Sequence, residues 1–160
     1  MIKKYKLTTE PHSDNPKLKR IVALYSFGDV KAGDNGGWIE GEHNLSHNGA
    51  CWIYDEAMVY GRAWVADGAG VCGNAQVYGN AMVYDYAEVL SNAKVYQDAR
   101  VHDRAGVCDN AWVFGKARVF GNARVYDSAW VFENAKVFGN ARVWGAARVY
   151  GKIRMYINVE

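Results

Sequence analysis

A six-residue period runs without interruption from Ile53 to Met155 and leaves few folds open to this chain. Each unit reads aliphatic, aromatic, Gly or Asp, Asn or another polar residue, Ala, and a variable residue, as in Val119-Phe120-Gly121-Asn122-Ala123-Arg124. The aliphatic slot is filled eighteen times in register, by Ile53, sixteen valines and Met155. The slot four residues later holds alanine from Ala57 to Ala147 and turns to Ile153 only in the last unit. A helix cannot use this pattern, because a period of six does not keep one face of a 3.6-residue turn. A short strand centred on valine can: valine points inward, its two neighbours point outward, and valine is stiff in the way strands favour. The Gly/Asp-Asn pair then turns the chain, since these residues tolerate the left-handed backbone and bond their own main chain locally. Alanine after the corner keeps the interior narrow.

This pattern resembles the hexapeptide-repeat family, whose mark is an aliphatic residue followed four positions later by a small one, and the resemblance covers residues 53–155. It implies an all-β fold, a left-handed parallel β-helix of triangular section in which three strands make one eighteen-residue coil, here about six coils. The departure from the family is the aromatic second slot, where Gly, Ala, Glu or Asp is commoner. The opening, with KYKLTTE, SFGDVKAGDNGGWIE and NLSHNGACWIYD, is similar to a subgroup of bacterial and prophage proteins described as polymer-forming or as acyltransferases. Two β-rich segments, Tyr5–Thr9 and Lys19–Phe27, joined by the turn-rich Glu10–Pro16, point to a hairpin-like cap, with Gly33–Gly37 as a loop. A first coil exposes strand edges, so residues 1–44 are assigned to capping and residues 45–160 to the β-helix.

Half of the residues are hydrophobic and only two are proline, enough for one continuous core. No stretch is long and apolar enough for a signal peptide or a membrane span, so a cytoplasmic protein with no membrane partner is expected. Cys51, Cys72 and Cys108 are an odd set without metal-ligand spacing, which points to free thiols and to no metal. Net charge is +2, but the charge is polarised: residues 1–90 carry eight Lys/Arg against eleven Asp/Glu, residues 91–160 eleven against six.

If residues eighteen apart stack, the aromatic slot gives a column of Tyr60, Tyr78, Tyr96, Phe114, Phe132 and Tyr150, a second of Ala66, Tyr84, His102, Phe120, Phe138 and Tyr156, and a third of Tyr54, Cys72, Leu90, Cys108, Tyr126 and Trp144. Such ring ladders stabilise a sheet by cross-strand packing, and the first is also a self-association surface for a dimer or trimer. From Lys94 onward the slot before each valine is basic in eight of eleven units, and stacking sets Arg100, Arg118, Lys136 and Arg154 beside the His102 column. Either aromatic faces and solvent offset the like charges of that column, or an anion bridges them: a nucleotide or nucleic acid bound by a phage-type sequestering protein, with salt-sensitive phosphate contacts and rings for base stacking.

The family resemblance also implies coenzyme A-dependent acyl transfer with a histidine base at a trimer interface. Among His12, His43, His47 and His102, the best candidate is His47, where the repeat register slips by two residues and a pocket could open. No partner motif accompanies any of them. The reading that follows is a non-enzymatic scaffold or binding module that needs no cofactor, with coenzyme A thioester chemistry as the rival.

Overall fold

A computed structural model describes residues 2–156. Three longer strands open the chain, β1 (Tyr5–Pro11), β2 (Lys19–Ala23) and β3 (Asn35–Ile39), followed by a single 3-10 turn at Glu42–Asn44. Eighteen two-residue strands follow, from β4 (Trp52–Ile53) to β21 (Arg154–Met155), each six residues after the last. Every strand from β4 on pairs in parallel with the one three places along: Val77 with Val95, Val83 with Val101, Val89 with Val107. Three flat sheets result, and the circuit closes every eighteen residues. The chain is a parallel β-helix.

The core is two kinds of side chain. The valines from Val59 to Val149 and the alanines from Ala57 to Ala141 are at most 1% exposed, so each inward valine stabilises the stack by about 1.5–3 kcal/mol relative to exposure. In the last described coil the alanine slot holds Ile153, which is 47% exposed.

Each corner from Asp55 to Gly151 is turned by one residue with positive φ, two places after the aliphatic slot. Glycine adopts this freely; aspartate needs compensation and finds it in the next coil. Asp55, Asp67, Asp85, Asp103, Asp109 and Asp127 each accept the N–H of the residue eighteen further on, at 2.8–3.3 Å. Glu133 (φ 59°) has no such bond, whereas a Cβ on Gly115 (φ +70°) would sit 2.7 Å from the Glu133 nitrogen. Glu133→Gly is therefore expected to be neutral or stabilising by up to about 1 kcal/mol, and Gly115→Val to destabilise by more than that; urea unfolding of the two variants checks the opposite signs.

The expected hairpin is present, with β1 antiparallel to β2, but Gly33–Gly37 is not simply a loop: Asn35–Ile39 forms β3, antiparallel to β2 and parallel to β5 (Met58–Val59). The reason is steric, since Gly36 and Gly37 lie against Ile21, Trp52 and Ile53 where a Cβ would be 2.5–2.7 Å from its neighbours. Ile39 and Leu45 pair with residues twenty further on, Val59 and Val65, whereas Ile53 pairs with Val71, eighteen further on. The two extra residues fall between Leu45 and Ile53, as the register slip predicts. The last described strand is Arg154–Met155, and residues 157–160 lie outside the described residues.

The cap is anchored by Tyr5, fully buried, whose hydroxyl donates to the Leu45 carbonyl at 2.8 Å and to that of Glu42 at 3.2 Å. Burial, with the charge of Glu42, pushes its ionisation well above the ordinary 10.0. The neutral phenol is thus held in the folded state, so stability is present below pH 10 and falls above it, as the unfolded chain loses a proton that the folded chain keeps. Unfolding followed between pH 9 and 11 should show that decline, made shallower by Tyr5→Phe.

Candidate functional site

The outward side chains of the three sheets are the candidate functional surface. On the sheet of β5, β8 (Gln76–Val77), β11 (Lys94–Val95), β14 (Trp112–Val113), β17 (Trp130–Val131) and β20 (Arg148–Val149), the six expected rings stack face to face. Their centroids are 4.9–5.2 Å apart from Tyr60 to Tyr150. Sequence reasoning missed the second half of this face. Trp112 and Trp130 stack on one another at 4.9 Å, with Lys94 over Trp112 at 5.2 Å and Arg148 over Trp130 at 4.5 Å. The signal was available, because the two tryptophans are eighteen residues apart in the slot before valine, the same slot read only for its cations. Tyr60, Tyr78 and Tyr96 all have raised phenol ionisation, by burial first.

On the next sheet Arg100 pairs with Arg118, Arg118 with Lys136, and Lys136 with Arg154, so the four cations form one row about 4.8 Å apart. None of the four is in an ion pair among the described residues; Arg154 lies over the Phe138 ring at 5.7 Å. Beside them Tyr84, His102, Phe120 and Phe138 stack at 4.9–5.1 Å. The rings fill each other's faces. From Tyr84 to Phe138 the column therefore presents ring edges rather than open faces. A shallow groove of 360 Å³ between Asp98, Arg100, Lys116 and Arg118 marks the corner of this row.

On the remaining sheet, Cys72 and Cys108 are separated by Leu90 and are free thiols, as is Cys51. Burial raises the ionisation of both Cys72 and Cys108, helped by Asp55 and Glu88 in the first case and by Asp109 in the second, which disfavours their thiolates. Gly106 leaves room for the Arg124 side chain to lie across it towards Glu88, 3.9 Å away.

The four histidines are scattered and engaged. His12 sits edge-on to Trp38 at 4.8 Å, and the His43 ring is 2.7 Å from the Gly61 carbonyl. His47 stacks on Tyr5 at 4.2 Å, accepts the Lys4 N–H at 3.3 Å and places Nε2 3.5 Å from Glu42. Its side chain is 8% exposed, so the register slip opens no pocket there; the Lys4 amine and the cap fill the space. The His47 Nε2 is buried with no hydrogen-bond partner among the described residues.

The eighteen-residue circuit and its valine–alanine interior are those of the hexapeptide-repeat-like class of parallel β-helices. The sequence profile of the family described as YdcK Beta solenoid repeat matches residues 75–89 and 117–133. A protein of Escherichia coli (strain K12) described as uncharacterized acetyltransferase YdcK is 34% identical over 84 residues, a match covering 46% of this chain and 26% of that protein. The likeness therefore spans about a quarter of that relative. Among the described residues no helix is long and apolar enough to cross a membrane.

Proposed function

We propose that the protein is a rigid β-helical scaffold that associates with further copies of itself through the sheet bearing Tyr60, Tyr78, Tyr96, Phe114, Phe132 and Tyr150. The observation that carries this reading is the double row on that sheet, six stacked rings beside the Trp112–Trp130 pair. The rows repeat with the strand spacing over about 24 Å, five steps of roughly 4.8 Å. A second copy presents ridges with the same repeat, so its rows interdigitate along the whole length, which a surface of another period cannot do. The apolar centre and the cations at Lys94 and Arg148 match the apolar core and polar rim of protein interfaces. In solution the protein is expected to be a dimer or trimer. Trp112→Glu combined with Trp130→Glu should lower the mass from light scattering to that of one chain while the melting transition persists; a wild-type monomer at tens of micromolar overturns the reading.

Likeness to a protein named as an acetyltransferase favours a second reading, acyl transfer from a coenzyme A thioester. The stacking of His47 on Tyr5, with 8% of its side chain exposed, lends that residue little support as the base. Release of coenzyme A from its acetyl thioester over a panel of amine and hydroxyl acceptors tests it, and turnover retained by the monomeric Trp112→Glu, Trp130→Glu protein would favour an enzyme over a scaffold.

A further inference from the structure

We infer that Asp85, His102 and Asp103 form a binding site for a first-row divalent metal ion such as zinc. Each offers one ligand atom, and these atoms all lie within 4.8 Å of one another. Nothing linear in the chain announces the site, because the coil brings together residues seventeen and eighteen positions apart. His102 is its distinctive member: the same slot of the neighbouring coils holds Tyr84, Phe120, Phe138 and Tyr156, and histidine alone among them carries a metal-ligating nitrogen.

The histidine is held ready. Its ring is sandwiched between Tyr84 at 4.9 Å and Phe120 at 5.1 Å, with interplanar angles of 5° and 3°, and Nδ1 is 3.4 Å from Asp103 Oδ1. The carboxylates are tethered as well. Asp85 Oδ2 accepts the Asp103 N–H at 3.1 Å and Asp103 Oδ2 accepts the Gly121 N–H at 2.8 Å, which leaves the second oxygen of each for an ion. Asp67 caps the Asp85 N–H in turn, so three carboxylates follow one another along this corner and outweigh the nearby Arg104. One imidazole and two carboxylates suit zinc, manganese or iron(II), and separations of up to 4.8 Å stand within about 1.5 Å of the roughly 3.3 Å edge of a tetrahedral shell. Asp85 and Asp103 also line a groove of 470 Å³ with Tyr86, Arg104, Gly121 and Asn122, which leaves the remaining coordination positions open.

The test is calorimetric titration of the full-length protein with zinc chloride, beside two variants that borrow residues from other coils. His102→Phe restores the ring of the next coil, and Asp85→Gly places at the corner the residue used at Gly121; both keep the fold, as their melting curves should show. Wild type is expected to bind one equivalent, with affinity reduced on the order of tenfold or more in each variant and with the His102 ring signals shifting on zinc addition. Equal affinity in wild type and His102→Phe, or no uptake by wild type, overturns the site. Neither outcome depends on self-association.

Discussion

Val95→Asp is expected to abolish the cooperative fold, and Val95→Ala to lower stability by about 2 kcal/mol. Val95 is 0% exposed and sits in the middle of its sheet, in register with Val77 below and Val113 above. Truncation to alanine loses two methyl groups and leaves a small void in a column that cannot collapse, because each coil is fixed by main-chain bonds on both sides. Aspartate does more harm. Its carboxylate would face only valine and alanine side chains, and the desolvation of an unpaired charge costs several kcal/mol, comparable to the whole stability of a domain this size. Coils contact only their neighbours, so a break at this level uncouples the two halves of the stack. Circular dichroism melting and limited proteolysis should show loss of the transition in Val95→Asp. An unchanged melting temperature would mean that this side chain reaches solvent.

Lys4→Ala is expected to destabilise by about 3 kcal/mol. Lys4 is 0% exposed, and its amine donates to the carbonyls of Cys51 at 2.7 Å and Gly49 at 3.2 Å, lies 3.2 Å from the Cys51 sulfur and sits 5.0 Å over the Phe27 ring. Burial pulls its ionisation down while Cys51 pulls it up, and burial raises that of Cys51. Removing the amine strands two carbonyls at the point where the extra residues enter the first coil. Lys4→Met keeps most of the volume but none of the bonds and should recover only the packing part of the loss. Denaturant midpoints for the two variants separate the contributions; a Lys4→Ala midpoint equal to wild type would show that the bulge around Gly49 is held by something else.

The repeat made the helical body legible from sequence, because valine in one slot and alanine four residues later state both the inward face and the corner. The same eighteen-residue arithmetic placed the ring column of Tyr60 and the cation row of Arg100 correctly. It failed where a residue's role depends on what another part of the chain lays over it. Lys4 stands in a run of basic residues that looks like a solvated face, and only the antiparallel cap carries it inside. Gly33–Gly37 reads as a loop because strand propensity registers side chains, while Gly36 and Gly37 of the strand Asn35–Ile39 are selected by the close approach of Trp52 and Ile53. The corner aspartates look like turn formers, yet each also holds the N–H of the following coil. His47 stands where the register slips, but whether a slip becomes a pocket depends on the volume brought by the cap. His102 read as a substituted ring; its carboxylate neighbour Asp85 is adjacent only once the coil closes.

Closure every eighteen residues is tested most directly by paired cysteines on outward positions. In a background with Cys72 and Cys108 replaced by alanine, Gln76→Cys with Lys94→Cys joins Cα partners on adjacent parallel strands, within the 4.4–6.8 Å that a disulfide spans. Gln76→Cys with Glu88→Cys joins residues on different sheets. Mass spectrometry after mild oxidation and alkylation should find the first pair bonded and the second free. A bond in the second pair with none in the first would contradict the three-strand coil.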